Sequence, residues 1–391
     1  MERLHKRVLL SSPTMHGEEQ LYIKEAFDKN WIAPLGFNCD GFENEMNDYL
    51  GGGYFPLATV SGTAALHLAV KLAGVKKGDI VLCSDTTFIA TVNPICYEGG
   101  VPVFIDSEYD TWNIDPEALE RGFRKYPECK VVMLAHLYGT PSKMDEIMDI
   151  CRKYNATLIE DASEALSSEY RGVKCGTFGE YNAFSFNGNK IITTSGGGML
   201  ITKMKDKRDK ALFWATQTRE PAPWYQHEEL GYNYRMSNVV AGIGRGQLKH
   251  LEEHRMLKEK IYMRYKEGLA GLPLKMNPYL EDSRPNFWMS CILIDRDAMC
   301  EQIRTDIKTT WKHEYGKTCP DEIAAKLNEY NIETRPIWKP MHMQPFYANN
   351  DFISTGCGED LFNRGLCLPS DIKMTEQEQD MVIEIIRSCF E

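Results

Sequence analysis

An α/β fold built on a mostly parallel sheet is what this chain predicts, and three observations carry the prediction. Short apolar, strand-like runs alternate with helical spacings between residues 57 and 159. Residues capable of chemistry fall directly after several of those runs. The 391 residues, 43% of them hydrophobic, are enough for one large core and a smaller one. Open parallel sheets bind ligands beyond the carboxyl ends of their strands, so residues placed there point to a site.

Taken in order, residues 18–29 read as an amphipathic helix with Leu21, Ala26 and Phe27 as its apolar residues, followed by a turn over 30–36. Residues 42–50 read as a second helix, ended by Gly51, Gly52 and Gly53. A strand at 57–60 leads into Ser61-Gly62-Thr63 and a helix that runs to Gly74. The alternation then continues with strands at 80–83, 101–105, 131–135 and 157–159, and with helical stretches at 88–97, from Asp115-Pro116 onward, and at 143–154. Residues 183–186 form a further strand. Lys190 follows on a loop, and Gly196, Gly197 and Gly198 allow positive φ angles or close approach to a ligand before a strand at 199–202. A small-residue helix over 237–251 continues as a charged helix to about Glu267 and reads as the hinge. Strand-like 287–294 and helices at 319–330 and 375–388 then predict a small α+β domain. The expected division is a large domain over 1–250 and a small one over 251–391.

Composition excludes several function classes. A formal charge of −11 and an isoelectric point near 5.5, with no basic stripe, argue against a nucleic-acid partner. Twelve cysteines stand singly with no CxxC pair, which fits free thiols in a reducing compartment and gives no zinc motif. The opening MERLHKRVLLSS has too short an apolar run for a signal peptide, and no apolar run is long enough to span a membrane, so the expected location is the cytoplasm.

The chemistry-bearing candidates follow strands. Ser61 is a good N-cap, and Gly62 and Thr63 present N–H groups at the positive end of a helix dipole, an arrangement suited to a phosphate; an ordinary capped helix reads the same way. Lys190, between a buried strand and a glycine run, suits Schiff-base formation with pyridoxal phosphate, although a loop lysine is commonly only solvated. Asp161 is placed to hold a protonated pyridine nitrogen or to cap a helix. Phe88 is placed to cover a ring face or to fill core, and His136 to act or to be a satisfied structural group. Gly242, Gly244 and Gly246 follow no strand, so they are not a dinucleotide fingerprint, and no P-loop is present.

In combination the motifs Ser61-Gly62-Thr63-Ala64-Ala65-Leu66, Asp161-Ala162-Ser163-Glu164, Ser185-Phe186-x-x-x-Lys190 and Gly231-Tyr232-Asn233-Tyr234-Arg235-Met236 resemble the DegT/DnrJ-type nucleotide-sugar aminotransferases over nearly the whole chain. The resemblance implies the aspartate aminotransferase fold (fold type I) and pyridoxal phosphate joined to Lys190. It implies Asp161 on the pyridine nitrogen, Phe88 on the ring, Glu164 near the phenolic oxygen, and Gly62, Thr63 and Ser185 at the phosphate. Asn233 matches the position that reaches the neighbouring subunit's cofactor phosphate, which implies a homodimer with shared active sites.

Where the family usually has glycine-glutamate after the lysine, this chain has Ser195-Gly196. That departure, with the segments at 30–36 and 334–340, resembles the branch of bacillosamine-pathway transaminases. It implies glutamate as amino donor and carbon 4 of a UDP-linked 4-keto-6-deoxy-N-acetylhexosamine as acceptor, in bacterial glycan or polysaccharide biosynthesis. Ala33, Pro34, Arg335 and Trp338 are then the expected substrate contacts. The guanidinium of Arg335 suits paired hydrogen bonds to a diphosphate, and a surface arginine before a proline is the plain alternative.

Other readings are an aminotransferase of a 3-keto, dTDP-linked or GDP-linked sugar, or a non-catalytic regulator of the same fold. Lys190 with Asp161 argues against a passive binder. Asp295-Arg296-Asp297 is the sole hint of a metal-assisted glycosyltransferase, and a dehydratase of this fold would carry histidine in place of Lys190.

Overall fold

A computed structural model describes residues 2–305 and 307–391 of the chain. Its main sheet has eight strands, β1 (Leu57–Thr59), β2 (Ile80–Ser84), β3 (Val101–Ile105), β4 (Val131–Ala135), β5 (Thr157–Asp161), β6 (Tyr181–Ser185), β7 (Gly198–Ile201) and β8 (Phe352–Ile353), in the order β1-β7-β6-β5-β4-β2-β3-β8. The six from β6 to β8 in that order are mutually parallel, β7 pairs antiparallel with β6, and β1 pairs antiparallel with β7 at the edge and so runs with the six. Within β4, Val131 and Met133 enter one core while Val132 and Leu134 enter the other. Burial on both faces is why these strands are continuously apolar rather than alternating.

Helices α1 (Glu18–Asp28) and α2 (Phe37–Tyr49) pack on α4 (Asn238–Leu248), while α3 (Gly62–Leu72) lies on the sheet beside β6 and β7. The GxGxG pattern is a packing device. A Cβ on Gly244 would stand 2.6 Å from the Phe42 ring, and one on Gly246 would stand 2.7 Å from the Glu19 nitrogen. The apolar face expected for α1 is turned over: Leu21 and Phe27 are exposed, and Ala26 and Glu19 are buried. Glu19 tolerates burial because its carboxylate accepts from the N–H groups of His16 and Gly17 and from Gln247. The helix expected over 88–97 is divided into a 3₁₀ turn (Ile89–Thr91) and a short helix (Asn93–Tyr97), whose first turn holds Pro94. The continuous helix expected after Ser237 breaks at His250, where α5 (Leu251–Gly268) begins.

A second, four-stranded sheet orders Leu274–Met276, Ser290–Ile294, Gly365–Leu368 and Arg335–Pro336, and the helices Pro320–Glu329 and Glu376–Ser388 cover it. Two segments cross the division expected at residue 250. Val8 bridges to Ile332 and joins the small core, and β8 pairs with β3 as the last strand of the main sheet. All twelve cysteines are free, and all but Cys96 are buried. Among the described residues no helix is long and apolar enough to cross a membrane.

Candidate active site

The carboxyl ends of β2, β5 and β6 and the start of α3 open into one cavity of about 310 Å³. Gly62 and Thr63 line it from α3, Phe88 from the turn after β2, Asp161 and Glu164 from the end of β5, and Ser185 and Lys190 from β6 and its loop. Trp338 reaches the same cavity from the C-terminal part of the chain.

Lys190 places its Nζ 3.5 Å from the Glu164 carboxylate and 4.4 Å from the centre of the Trp288 ring. The other oxygen of Glu164 accepts the Tyr138 N–H at 2.8 Å. Burial pushes the Glu164 carboxyl up from its usual range, and the Lys190 amine opposes that rise. Asp161, 7% exposed, is aimed by two bonds: Oδ2 accepts from the Thr91 hydroxyl at 2.7 Å and Oδ1 from the Ser163 N–H at 3.0 Å. Phe88 is half exposed and meets Trp338 with ring centres 5.6 Å apart.

At the start of α3 the Ser61 hydroxyl accepts the Ala64 N–H and the Ser61 carbonyl accepts the Ala65 N–H, while the N–H groups of Gly62 and Thr63 donate to no group among the described residues. There is no room for a side chain at Gly62, because a Cβ would lie 2.9 Å from that of Ser185. The glycine run behaves as close packing. Ser195 takes the positive φ of 73°, Gly196 to Gly198 take none, and a Cβ on Gly198 would lie 2.3 Å from the Ser61 backbone. The close approach expected of the run is therefore to Ser61, and it brings the start of α3 against the Lys190 loop.

His136 is a wall, and its partners leave it no free proton position. Ser142 donates its N–H to Nδ1 at 3.0 Å, so the proton is on Nε2, which donates to Glu160 at 2.7 Å. Glu160 also accepts the N–H groups of Phe178 and Gly179.

The remaining expected residues stand outside this cavity. Asn233 is exposed and shares a neighbouring cleft with Pro34 and Gly196, and Gly196 also lines the main cavity. Ala33 is exposed and its carbonyl accepts the Asn238 N–H. Arg335 is exposed and ion-paired with Glu333 at 2.6 Å, three residues before Trp338. Asp295-Arg296-Asp297 lies in a 3₁₀ turn of the small domain, away from the cavity lining. Thr91 and Trp288 line the cavity without any sequence pattern marking them, and Ser163 lies within the Asp161-Ala162-Ser163-Glu164 motif without an expected role of its own.

Residues 13–387 match the DegT/DnrJ/EryC1/StrS aminotransferase family. The chain belongs to that family. A Bacillus subtilis (strain 168) protein named as a pyridoxal phosphate-dependent aminotransferase, EpsN, is 46% identical across 99% of this chain and 97% of its own length. The GDP-perosamine synthase of Caulobacter vibrioides is 35% identical across 96% of each chain. Among solved structures, the aminotransferase TlmJ from Streptoalloteichus hindustanus superposes with a TM-score of 0.86 at 24% identity over 98% of both chains, a likeness of fold. The chain is accordingly a pyridoxal phosphate-dependent sugar aminotransferase of fold type I.

The residues present fit that cofactor. Two N–H groups at a helix start without an acceptor among the described residues, beside the Ser185 hydroxyl, suit a phosphate; a buried carboxylate held by two donors suits a protonated ring nitrogen; and the Lys190 amine lines the same cavity.

Proposed function

We propose that the chain moves an amino group from glutamate to carbon 4 of a UDP-linked 4-keto-6-deoxy-N-acetylhexosamine, in the cytoplasm, for bacterial glycan or polysaccharide biosynthesis. The observation that carries the aminotransferase part is the convergence of Lys190, Asp161, Glu164 and the free N–H groups of α3 on one cavity. When bound, pyridoxal phosphate supplies the electron sink that lets an amino group change partners.

The chain's own residues do the rest. Lys190 is the covalent anchor and the base whose Nζ takes up and returns the proton. Asp161, fixed by Thr91 and Ser163, holds charge on the ring nitrogen, and Glu164 lies beside the lysine amine. Gly62, Thr63 and Ser185 hold the phosphate, and Phe88 covers one ring face. Asn233 completes the phosphate site of a second copy in a homodimer, which its exposure and its absence from this chain's own cavity support. Ala33, Pro34, Arg335 and Trp338 contact the nucleotide sugar. The indole Nε1 of Trp338 is buried without a partner among the described residues, and so is a donor available to a substrate oxygen.

A GDP-linked 4-keto sugar is the second reading, favoured by the relative named GDP-perosamine synthase. Purified enzyme offered both nucleotide sugars with glutamate should give the higher kcat/KM with the UDP-N-acetyl compound. Faster turnover of GDP-linked, dTDP-linked or 3-keto sugars would overturn the substrate while leaving the aminotransferase assignment in place.

A further inference from the structure

Trp288 enters the cavity wall from the small domain, and it and Asn286 bond to the backbone at Glu164 and beside Lys190. Asn286 donates through Nδ2 to the carbonyls of Glu164 at 2.8 Å and Leu166 at 2.9 Å, and its Oδ1 accepts the Trp288 N–H at 2.9 Å. Trp288, 1% exposed, donates its indole N–H at 2.8 Å to the carbonyl of Asn189, the residue before the lysine. Its ring face lies 4.4 Å from the Lys190 Nζ. The Trp288 carbonyl is itself held at 3.1 Å by the buried amine of Lys258, which also donates to the Ser370 carbonyl at 2.8 Å.

Between these two tied residues Phe287 has a φ of 53°, a left-handed conformation costly for a bulky side chain. Packing holds it there, with its ring centre 4.8 Å from that of Tyr262 and 5.5 Å from that of Tyr279. Gly139 leaves the space that Asn286 fills, since a Cβ there would stand 1.8 Å from the Asn286 Oδ1. The fold thus keeps a strained turn whose two neighbours each bond to an active-site loop.

Lysine is a flexible chain, and a contact of 3.5 Å to Glu164 is at the outer edge of hydrogen bonding, so Glu164 alone does not fix the amine. The indole face 4.4 Å from the amine supplies a second constraint, because the ring attracts the ammonium.

We propose that Trp288 is the positioning residue for the Lys190 amine, its N–H fixing the loop carbonyl before the lysine and its ring fixing where the amine stands. The inference rests on Lys190 being the reacting lysine. It also ties the site to the small domain, because a shift of the Lys258 and Ser370 elements would move Trp288 and with it the lysine loop.

The test uses Trp288→Phe, which keeps a ring but loses the N–H, and Trp288→Leu, which loses both. Cofactor-free protein is mixed with pyridoxal phosphate, quenched with borohydride at intervals, and the pyridoxyl label on the Lys190 peptide is counted by mass spectrometry. Attachment should slow about tenfold in Trp288→Leu and by a smaller factor in Trp288→Phe. In parallel, a short acetic anhydride pulse on cofactor-free protein should label Lys190 about threefold more in Trp288→Leu than in wild type, with exposed Lys205 as internal reference.

Noncovalent binding of pyridoxal phosphate is compared in Lys190→Ala with and without Trp288→Leu, and should be the same in both. Attachment at the wild-type rate in both Trp288 variants overturns the proposal. So does slowing matched by an equal loss of noncovalent binding, which would make Trp288 a general support of the cavity. If Trp288→Leu fails to fold, a wild-type attachment rate in Trp288→Phe still overturns the role of the N–H. Wild-type label on a different lysine would instead remove the underlying reading of Lys190.

Discussion

Lys190, Asp161 and Glu164 stand in one cavity, each within reach of a partner the same chain supplies, whereas Asn233, Ala33 and Arg335 are exposed and stand outside it. The first group sits on strand ends and on loops tied by Thr91, Ser163 and Trp288. Of the second, Asn233 lines a neighbouring cleft that shares Gly196 with the cavity, while Arg335 stands on an edge strand of the small sheet. One chain therefore gathers these three side chains in one cavity and leaves the other expected contacts exposed outside it. That asymmetry is what a site completed by a second copy and by a variable substrate requires.

The largest effect is expected at the cavity. Lys190→Ala should lower transamination by about 10³-fold or more while noncovalent cofactor binding persists. Retained activity would mean that the cavity is not the reacting site. The exposed side is tested by complementation. Lys190→Ala and Asn233→Ala chains, each inactive alone, should recover roughly a quarter of the wild-type rate when mixed and allowed to exchange, because about half of random dimers are mixed and each mixed dimer has one of its two sites intact. Proven subunit exchange without recovery would place Asn233 outside any shared site.

The smallest effect belongs to the outermost residue. Arg335→Ala should raise the KM for the nucleotide sugar about tenfold and leave that for glutamate unchanged. An unchanged nucleotide-sugar KM would confine the arginine to its ion pair with Glu333.

The same division runs through what the sequence made legible. Strand–helix alternation up to residue 161 is a local pattern, and every strand expected there is present within a residue or two of its expected bounds. Asp161, Lys190 and the Ser61 cap were legible because each follows directly on a local element. The helix Lys205–Ala215 was not, since its KDKRDK start shows no apolar period. Nor was β8, a two-residue strand whose identity depends on pairing with β3 some 250 residues earlier in the chain, Phe352 against Phe104. Trp288 carries no local signal either. Its indole reads as core until the fold brings Asn189 and Lys190 to it. Leu21 and Phe27 show the converse, where apolar spacing promised a buried face and the small residues of α4 drew the opposite side of the helix inward.

One covalent bond, between Lys190 and the cofactor, decides where the reaction takes place. Holoenzyme reduced with borohydride and digested should carry a pyridoxyl group on the peptide containing Lys190 and on no other lysine. A label elsewhere, or none after saturation with pyridoxal phosphate, would contradict that assignment.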